Sequence, residues 1–122
     1  MEDFPHIHVE RVRFSDCDPM GHANNAVFST YLEQARIAVL GDLVPFILAR
    51  VEIDFRAPAR FGDEIEVGVR AGRFGTKSFD LEYELHASGR LLAEARSVCV
   101  AYDYERGEAM AIPEGWRERL AA

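Results

Sequence analysis

Most of the chain beyond residue 48 is written in a period of two, and such a sequence has to build a sheet with one covered face. Ala49, Val51, Ile53 and Phe55 alternate with Arg50, Glu52, Asp54 and Arg56 until Pro58 stops the run. Ile65, Val67, Val69 and Ala71 alternate with Glu64, Glu66, Gly68 and Arg70, and Gly72 and Gly75 then bracket a turn. Phe79, Leu81, Tyr83 and Leu85 alternate with Ser78, Asp80, Glu82 and Glu84, after which Ser88-Gly89 supplies a tight turn that pairs this strand with the next as a hairpin. That next strand runs from about Arg90 to Asp103. One face of it reads Leu91, Ala93, Ala95, Ser97, Cys99 and Ala101, nearly all small, so a helix can approach it closely. The other carries Leu92, Glu94, Arg96, Val98, Val100 and Tyr102, which places the strand inside the sheet rather than at its edge. A first strand, from about His8 to Phe14, alternates less regularly.

One segment has the period of a helix. Phe28, Tyr31, Leu32, Ala35, Ala38 and Val39 recur at steps of three and four, with Ser29, Thr30, Glu33, Gln34 and Arg36 on the other face. The pattern predicts an amphipathic helix over about 26–40, capped at its start by Asn24 or Asn25 and closed by Gly41. Strand, helix and four strands joined by short connections make an α+β protein, an antiparallel five-stranded sheet wrapped around one central helix. After Tyr104 the chain is too short for another layer, and Trp116 is expected to anchor a short tail.

With 122 residues the chain has the length of a single domain, spanning 1–122. A formal charge of −7 opposes nucleic acid and anionic membranes as partners. The start, Met-Glu-Asp-Phe-Pro-His, is acidic where a secretory signal is basic, and no apolar run approaches the roughly 20 residues of a membrane span. A cytoplasmic protein is expected, with Cys17 and Cys99 as free thiols.

Chemistry-bearing residues crowd Asp16-Cys17-Asp18-Pro19-Met20-Gly21-His22-Ala23-Asn24-Asn25, between the first strand and the helix. One reading is loop chemistry: Asp18-Pro19 starts a turn, Gly21 takes a positive φ, and an asparagine caps the helix. Another starts from the unpaired N–H groups of a helix N-terminus, here at Asn24 to Ala26, which suit an anion or a developing oxyanion. A carbonyl held there is polarised, and Asp18, ionised at neutral pH, can act on its carbon as base or nucleophile. A carboxylate is a weak nucleophile, so a thioester with its good leaving group fits and an amide does not. His22 can orient Asp18, bind substrate or shuttle a proton, or simply hydrogen-bond the backbone near the cap. Two rivals remain: Cys17 with His22 as a nucleophile pair, and Asp16-x-Asp18 with His22 as a cation site. Glu33 on the helix is a further carboxylate, for which a surface ion pair with Arg36 is the plainer account. Lys77 and Ser78, near Arg73, are compatible with gripping a phosphate.

These residues resemble a known family. Val12-Arg13-Phe14-Ser15 and the ten residues after it, then Tyr31-Leu32-Glu33-Gln34-Ala35-Arg36 and the strand-turn-strand segment from Ile53 to Ile65, look like the 4-hydroxybenzoyl-CoA thioesterase branch of the hotdog superfamily. The resemblance, from about His8 to Tyr104, implies hydrolysis of an acyl-CoA to free acid and CoA without metal or cofactor. It implies Asp18 as the catalytic carboxylate, Asn25 as the position whose main-chain N–H holds the thioester oxygen, and Glu33 as the alternative carboxylate that some members use. Gly21, His22 and Asn24 then border the reacting group. Lys77-Ser78-Phe79 resembles a basic strand start that meets CoA phosphates, with Gly75 and Thr76 where arginines are found elsewhere. Dimers joined along Arg50 to Arg56, often paired into tetramers, are implied too. The fold also hosts non-catalytic acyl-CoA sensors and acyl-carrier-protein thioesterases, which stand as the alternative functions.

Overall fold

The computed structural model describes residues 1–41 and 45–121. In chain order it has β1 (His6–Arg11), a 3-10 turn (Phe14–Asp16), α1 (Asn25–Leu40), β2 (Phe46–Phe55), β3 (Glu64–Phe74), β4 (Ser78–Ala87), β5 (Arg90–Asp103), β6 (Glu108–Ala109) and α2 (Trp116–Ala121). The sheet is ordered β1-β3-β4-β5-β2 with every pairing antiparallel, and the two-residue β6 joins β5 beside that path. The α+β architecture with one main helix is as the pattern predicts. The additional strand comes from the tail, which turns back so that Tyr102 meets Ala109. Trp116 and Leu120 of α2 are buried, and the Trp116 ring meets Phe79 edge to face at 6.0 Å. No described helix is long and apolar enough to cross a membrane.

The apolar half of the β4 alternation is obeyed, because this strand has neighbours on both sides and a helix above it: Phe79, Leu81, Tyr83 and Leu85 are at most 2% exposed, while on the other face Asp80 is buried as well, paired with Arg73 and Arg96. Ser88 (φ 49) and Gly89 (φ 76) form the expected turn of two positive-φ residues. Beyond it one residue slips. Leu85 pairs with Ala93 but His86 pairs with Leu91, so Leu92 is extra and enters the core with Ala93, both fully buried, leaving Leu91 half-exposed. The Leu92 carbonyl accepts from the main-chain N–H groups of Arg56 (2.8 Å) and Ala57 (3.2 Å), which pins the end of β2.

Three further expectations need correction. The first strand is His6–Arg11 rather than His8 to Phe14, since Phe14 has already entered the 3-10 turn. On the helix, Ala38 is exposed and Arg36, assigned to the polar face, is buried. The Glu33–Arg36 surface ion pair is not formed; Arg36 donates inward to Tyr83 Oη at 3.3 Å. Lastly, β3 runs through Gly72 to Phe74 instead of turning there.

The helix rests on β1 and β3. The edge strand β2 is therefore left partly bare on its inward side, with Leu48, Val51 and Phe55 each about two-fifths exposed (42%, 36% and 42%). On the outer face of the sheet, the alternation conceals a close contact. Gly68 fills a polar slot of the pattern, yet Phe4 crosses the sheet there, held also by the Arg70 guanidinium 4.5 Å above its ring. A Cβ at position 68 would stand 2.7 Å from Met1 Sδ and 2.8 Å from Phe4 Cγ. Gly68→Ala is expected to cost about 1–3 kcal/mol in urea denaturation, and the cost should vanish in a chain from which Met1 to Phe4 are removed.

Candidate functional site

The loop ahead of α1 is clipped by its own backbone. Cys17 and Ala23 form an antiparallel bridge, as do His22 and Arg60, and Ala23 N–H donates to the Ala59 carbonyl at 2.7 Å. Within the clip, Asp18 N–H donates to the His22 carbonyl (2.8 Å) and Gly21 N–H to the Asp18 carbonyl (3.0 Å), with Gly21 at φ +80. Asp18 Oδ1 accepts from the N–H groups of Met20 (2.9 Å) and His22 (3.2 Å). The turn-forming reading is thus satisfied by one carboxylate oxygen. Oδ2 has no partner among the described residues, and the side chain is half-exposed.

Asp16 has the opposite fate. Its side chain is 3% exposed; Oδ1 accepts from Arg13 Nη2 (3.0 Å), and Oδ2 from Arg13 N–H (3.0 Å), Arg13 Nε (3.5 Å) and the Tyr31 hydroxyl (2.9 Å). Its carbonyl receives the N–H of Asn24 at 2.8 Å. Burial alone would raise this carboxyl, but the hydrogen bonds from Arg13 and Tyr31 outweigh it and hold the group below the ordinary carboxylate range. Burial and the same carboxylate push the Tyr31 phenol far upward, so it stays a donor. With both Asp16 oxygens taken, Asp16-x-Asp18 does not fit a cation, and no described group of three ligating side chains converges.

The helix start is more selective than its four unpaired N–H groups suggest. Asn24 is the cap, its Oδ1 accepting from Ala26 N–H at 2.9 Å. Val27 N–H bonds the Asn24 carbonyl at 2.9 Å, and Asn24 N–H is spent on Asp16. Of the three N–H groups expected at Asn24 to Ala26, two are occupied. Only that of Asn25 is left without a partner among the described residues. The expected site thereby narrows to one main-chain donor at Asn25 and one free oxygen on Asp18. The His22 ring is half-exposed with no polar partner among the described residues; the residue reaches Asp18 through its main chain. Cys17 Sγ turns back to the Arg13 carbonyl at 3.6 Å, away from His22.

Two other candidates are elsewhere. Glu33 is exposed and stands eight residues past Asn25, about 12 Å up the helix. Lys77 and Ser78 lie at the end of the sheet where β4 begins; Lys77 accepts through its carbonyl from Ala101, and Ser78 Oγ from Arg73. The Asp18 loop lies at the other end, beside Ala59 and Arg60 and near the β4–β5 turn, where Arg90 bonds the Pro58 carbonyl and Asp63. The ten residues of β4 separate the two ends by about 30 Å. Within one chain, a CoA grip at Lys77 does not belong to the Asp18 site. Sequence spacing carries no information on which end of a sheet a turn occupies, whereas the structural part of Asp16 was signalled by Arg13 three residues before it.

Asp16→Asn is expected to lower stability by about 2–3 kcal/mol at neutral pH, since it removes a buried anion from four donors. Because the folded-state pKa is depressed, the stabilisation is complete above the unfolded carboxylate value near 4 and is lost as pH falls through the folded one. Urea titrations of wild type and variant should therefore converge as pH drops below about 4.

Comparison with known proteins gives consistent matches. The family model described as Thioesterase-like superfamily matches residues 12–120. The long-chain acyl-CoA thioesterase FadM of Escherichia coli (strain K12) is 26% identical over 122 residues, covering 90% of this chain and 92% of FadM. Among solved structures, a thioesterase from Thermus thermophilus complexed with coenzyme A and Zn superposes with a TM-score of 0.90 at 39% identity, covering 98% of this chain and 94% of that one. A predicted thioesterase from Bacillus stearothermophilus gives 0.88 at 27% identity, with coverages of 94% and 92%.

Proposed function

The chain belongs to the thioesterase-like superfamily, and from that membership we infer that it hydrolyses acyl-CoA thioesters to free acid and CoA at the start of α1. One observation carries the assignment of the site: at the capped helix start a single N–H, that of Asn25, is left over, beside a loop that keeps one Asp18 oxygen free. The thioester oxygen is received by Asn25 N–H, where the helix dipole adds to the polarisation. Asp18 Oδ2 either takes a proton from a water that attacks the carbonyl carbon, or attacks that carbon itself to give a mixed anhydride that water then hydrolyses; in both cases the C–S bond breaks and the CoA thiolate departs. His22 is a positioning residue through its N–H on Asp18 Oδ1. Gly21 permits the turn that brings these groups together, and Asn24 occupies the neighbouring N–H so that Asn25 alone faces the substrate.

Release of free thiol from a panel of acyl-CoAs tests the activity. Asp18→Asn should lower kcat by about a hundred- to a thousandfold with the melting temperature unchanged within a few degrees. A sharper test is Asn25→Pro. Proline is favoured at the first position of a helix, and Asn24 before it is already extended (φ −61, ψ 139), so the variant should fold normally. It removes the one N–H in question, and a similar loss of kcat is expected. Full activity in Asn25→Pro would refute the oxyanion assignment.

A dimer joined across β2 is part of the proposal. Its outer edge is unpaired among the described residues, and Val51 and Phe55 are exposed on the inward face beside that edge. A two-fold axis through that edge turns the partner end for end, which sets the partner's Lys77 and Ser78 at the same end of the joint sheet as Asp18. Two sheets so joined form a site from both chains, and sedimentation equilibrium should give a dimer or a dimer of dimers.

A further inference from the structure

Arg36 is 5% exposed, at the fourth turn of α1, and its guanidinium meets no carboxylate among the described residues. Its only partner among the described residues is the hydroxyl of Tyr83, to which Nη1 donates at 3.3 Å; Tyr83 in turn is 2.6 Å from Ser97 Oγ. Burial pushes the Tyr83 phenol and the Cys99 thiol beyond it upward, so neither supplies a negative charge. A buried guanidinium with only neutral partners is costly, and its fork of donors matches a carboxylate. The same side chain lines a cavity of about 310 Å³ together with Ile37, Phe46, Leu48 and Tyr104, and with Glu33, which is exposed and outside ion-pair distance of Arg36.

This cavity closes one end of a longer trough. At the helix start, Phe28 and Phe55 meet edge to face at 5.2 Å. From there α1 and the uncovered side of β2 run past Val51 toward Leu48 and Phe46, because the helix leans on β1 and β3 instead. Asn25 and Arg36 are eleven residues apart, about 16 Å along the helix. The β2 side of this path, from Phe55 past Val51 to Leu48 and Phe46, is apolar, and it leads from the helix start to a buried cation with Glu33 beside it.

We propose that Arg36 reads the far end of the acyl group, and that the preferred substrates are medium- to long-chain acyl-CoAs that bear a terminal carboxylate. The proposal rests on the thioesterase reading and extends it to substrate class. The hydrocarbon lies along the β2 side of α1, and the carboxylate takes two N–H groups of the guanidinium, which has no anionic partner among the described residues.

The test compares dodecanoyl-CoA with its ω-carboxy counterpart. Wild type should favour the ω-carboxy substrate by about tenfold or more in kcat/KM, the worth of a charged, paired hydrogen bond. In Arg36→Met the ratio should fall to about one or below, and in Arg36→Lys part of it should survive. Calorimetric binding of the two corresponding non-hydrolysable thioethers to wild type gives a readout that needs neither turnover nor a variant, and the carboxylated one should bind more tightly. If the plain thioester is hydrolysed well and the carboxylated one is equal or worse, the proposal is overturned while the thioesterase reading stands. That outcome would mean that a plain chain or a side chain of a second copy fills the end of the trough. If nothing is hydrolysed, the thioesterase reading fails, and the thioether ratio still decides whether Arg36 selects a carboxylate.

Discussion

The buried carboxylate of Asp16 joins three segments that local preferences alone would not bring together. Through Arg13 it holds the 3-10 turn, through the Tyr31 hydroxyl it holds the second turn of α1, and its own carbonyl takes the N–H of Asn24. A loop rich in aspartate, proline and glycine has many conformations of similar energy. Anchored at both ends it has one, and the two-residue offset to Asp18 turns that anchoring into placement. Adjacent carboxylates in the motif thus divide the labour: the satisfied one builds, and the half-satisfied one remains available to react.

How well the sequence could be read depended on how many neighbours each element has. In β4, flanked on both sides and covered by a helix, every apolar position of the period of two is buried, and the one polar position that is also buried, Asp80, is held by Arg73 and Arg96. At Leu92 the same logic fails, because a bulge changes which side chain faces the core and no residue type announces it. Gly68 also escaped notice, since alternation sorts residues into inward and outward without saying what crosses the outward face. Arg36 was misplaced for a related reason. A charged residue between apolar positions is read as solvated, and only the structure shows that the small residues of β5 leave room for it above Tyr83 and Ser97.

The candidate loop was legible as a set of neighbouring residues and illegible in what each of them bonds. Asp18, His22, Asn24 and Asn25 are all in the clip, yet one carries the free carboxylate oxygen, one contributes through its main chain, one is a cap, and one holds the leftover donor. These distinctions rest on hydrogen-bond partners, and composition cannot supply them. Lys77 shows the converse: a plausible phosphate contact by type, it is set a full strand length from the loop, so only the proposed second chain would bring it to the same chemistry.

The leftover donor at the helix start belongs to the main chain, and this has a consequence for how such proteins diverge. A catalytic side chain is held in place by selection on one codon. A main-chain N–H survives almost any replacement at its position except proline, so under the proposed mechanism a change of side chain at residue 25 would leave the donor where it is. Comparison by residue identity will therefore find the carboxylate half of the site and pass over its partner, which only the geometry of the cap reveals.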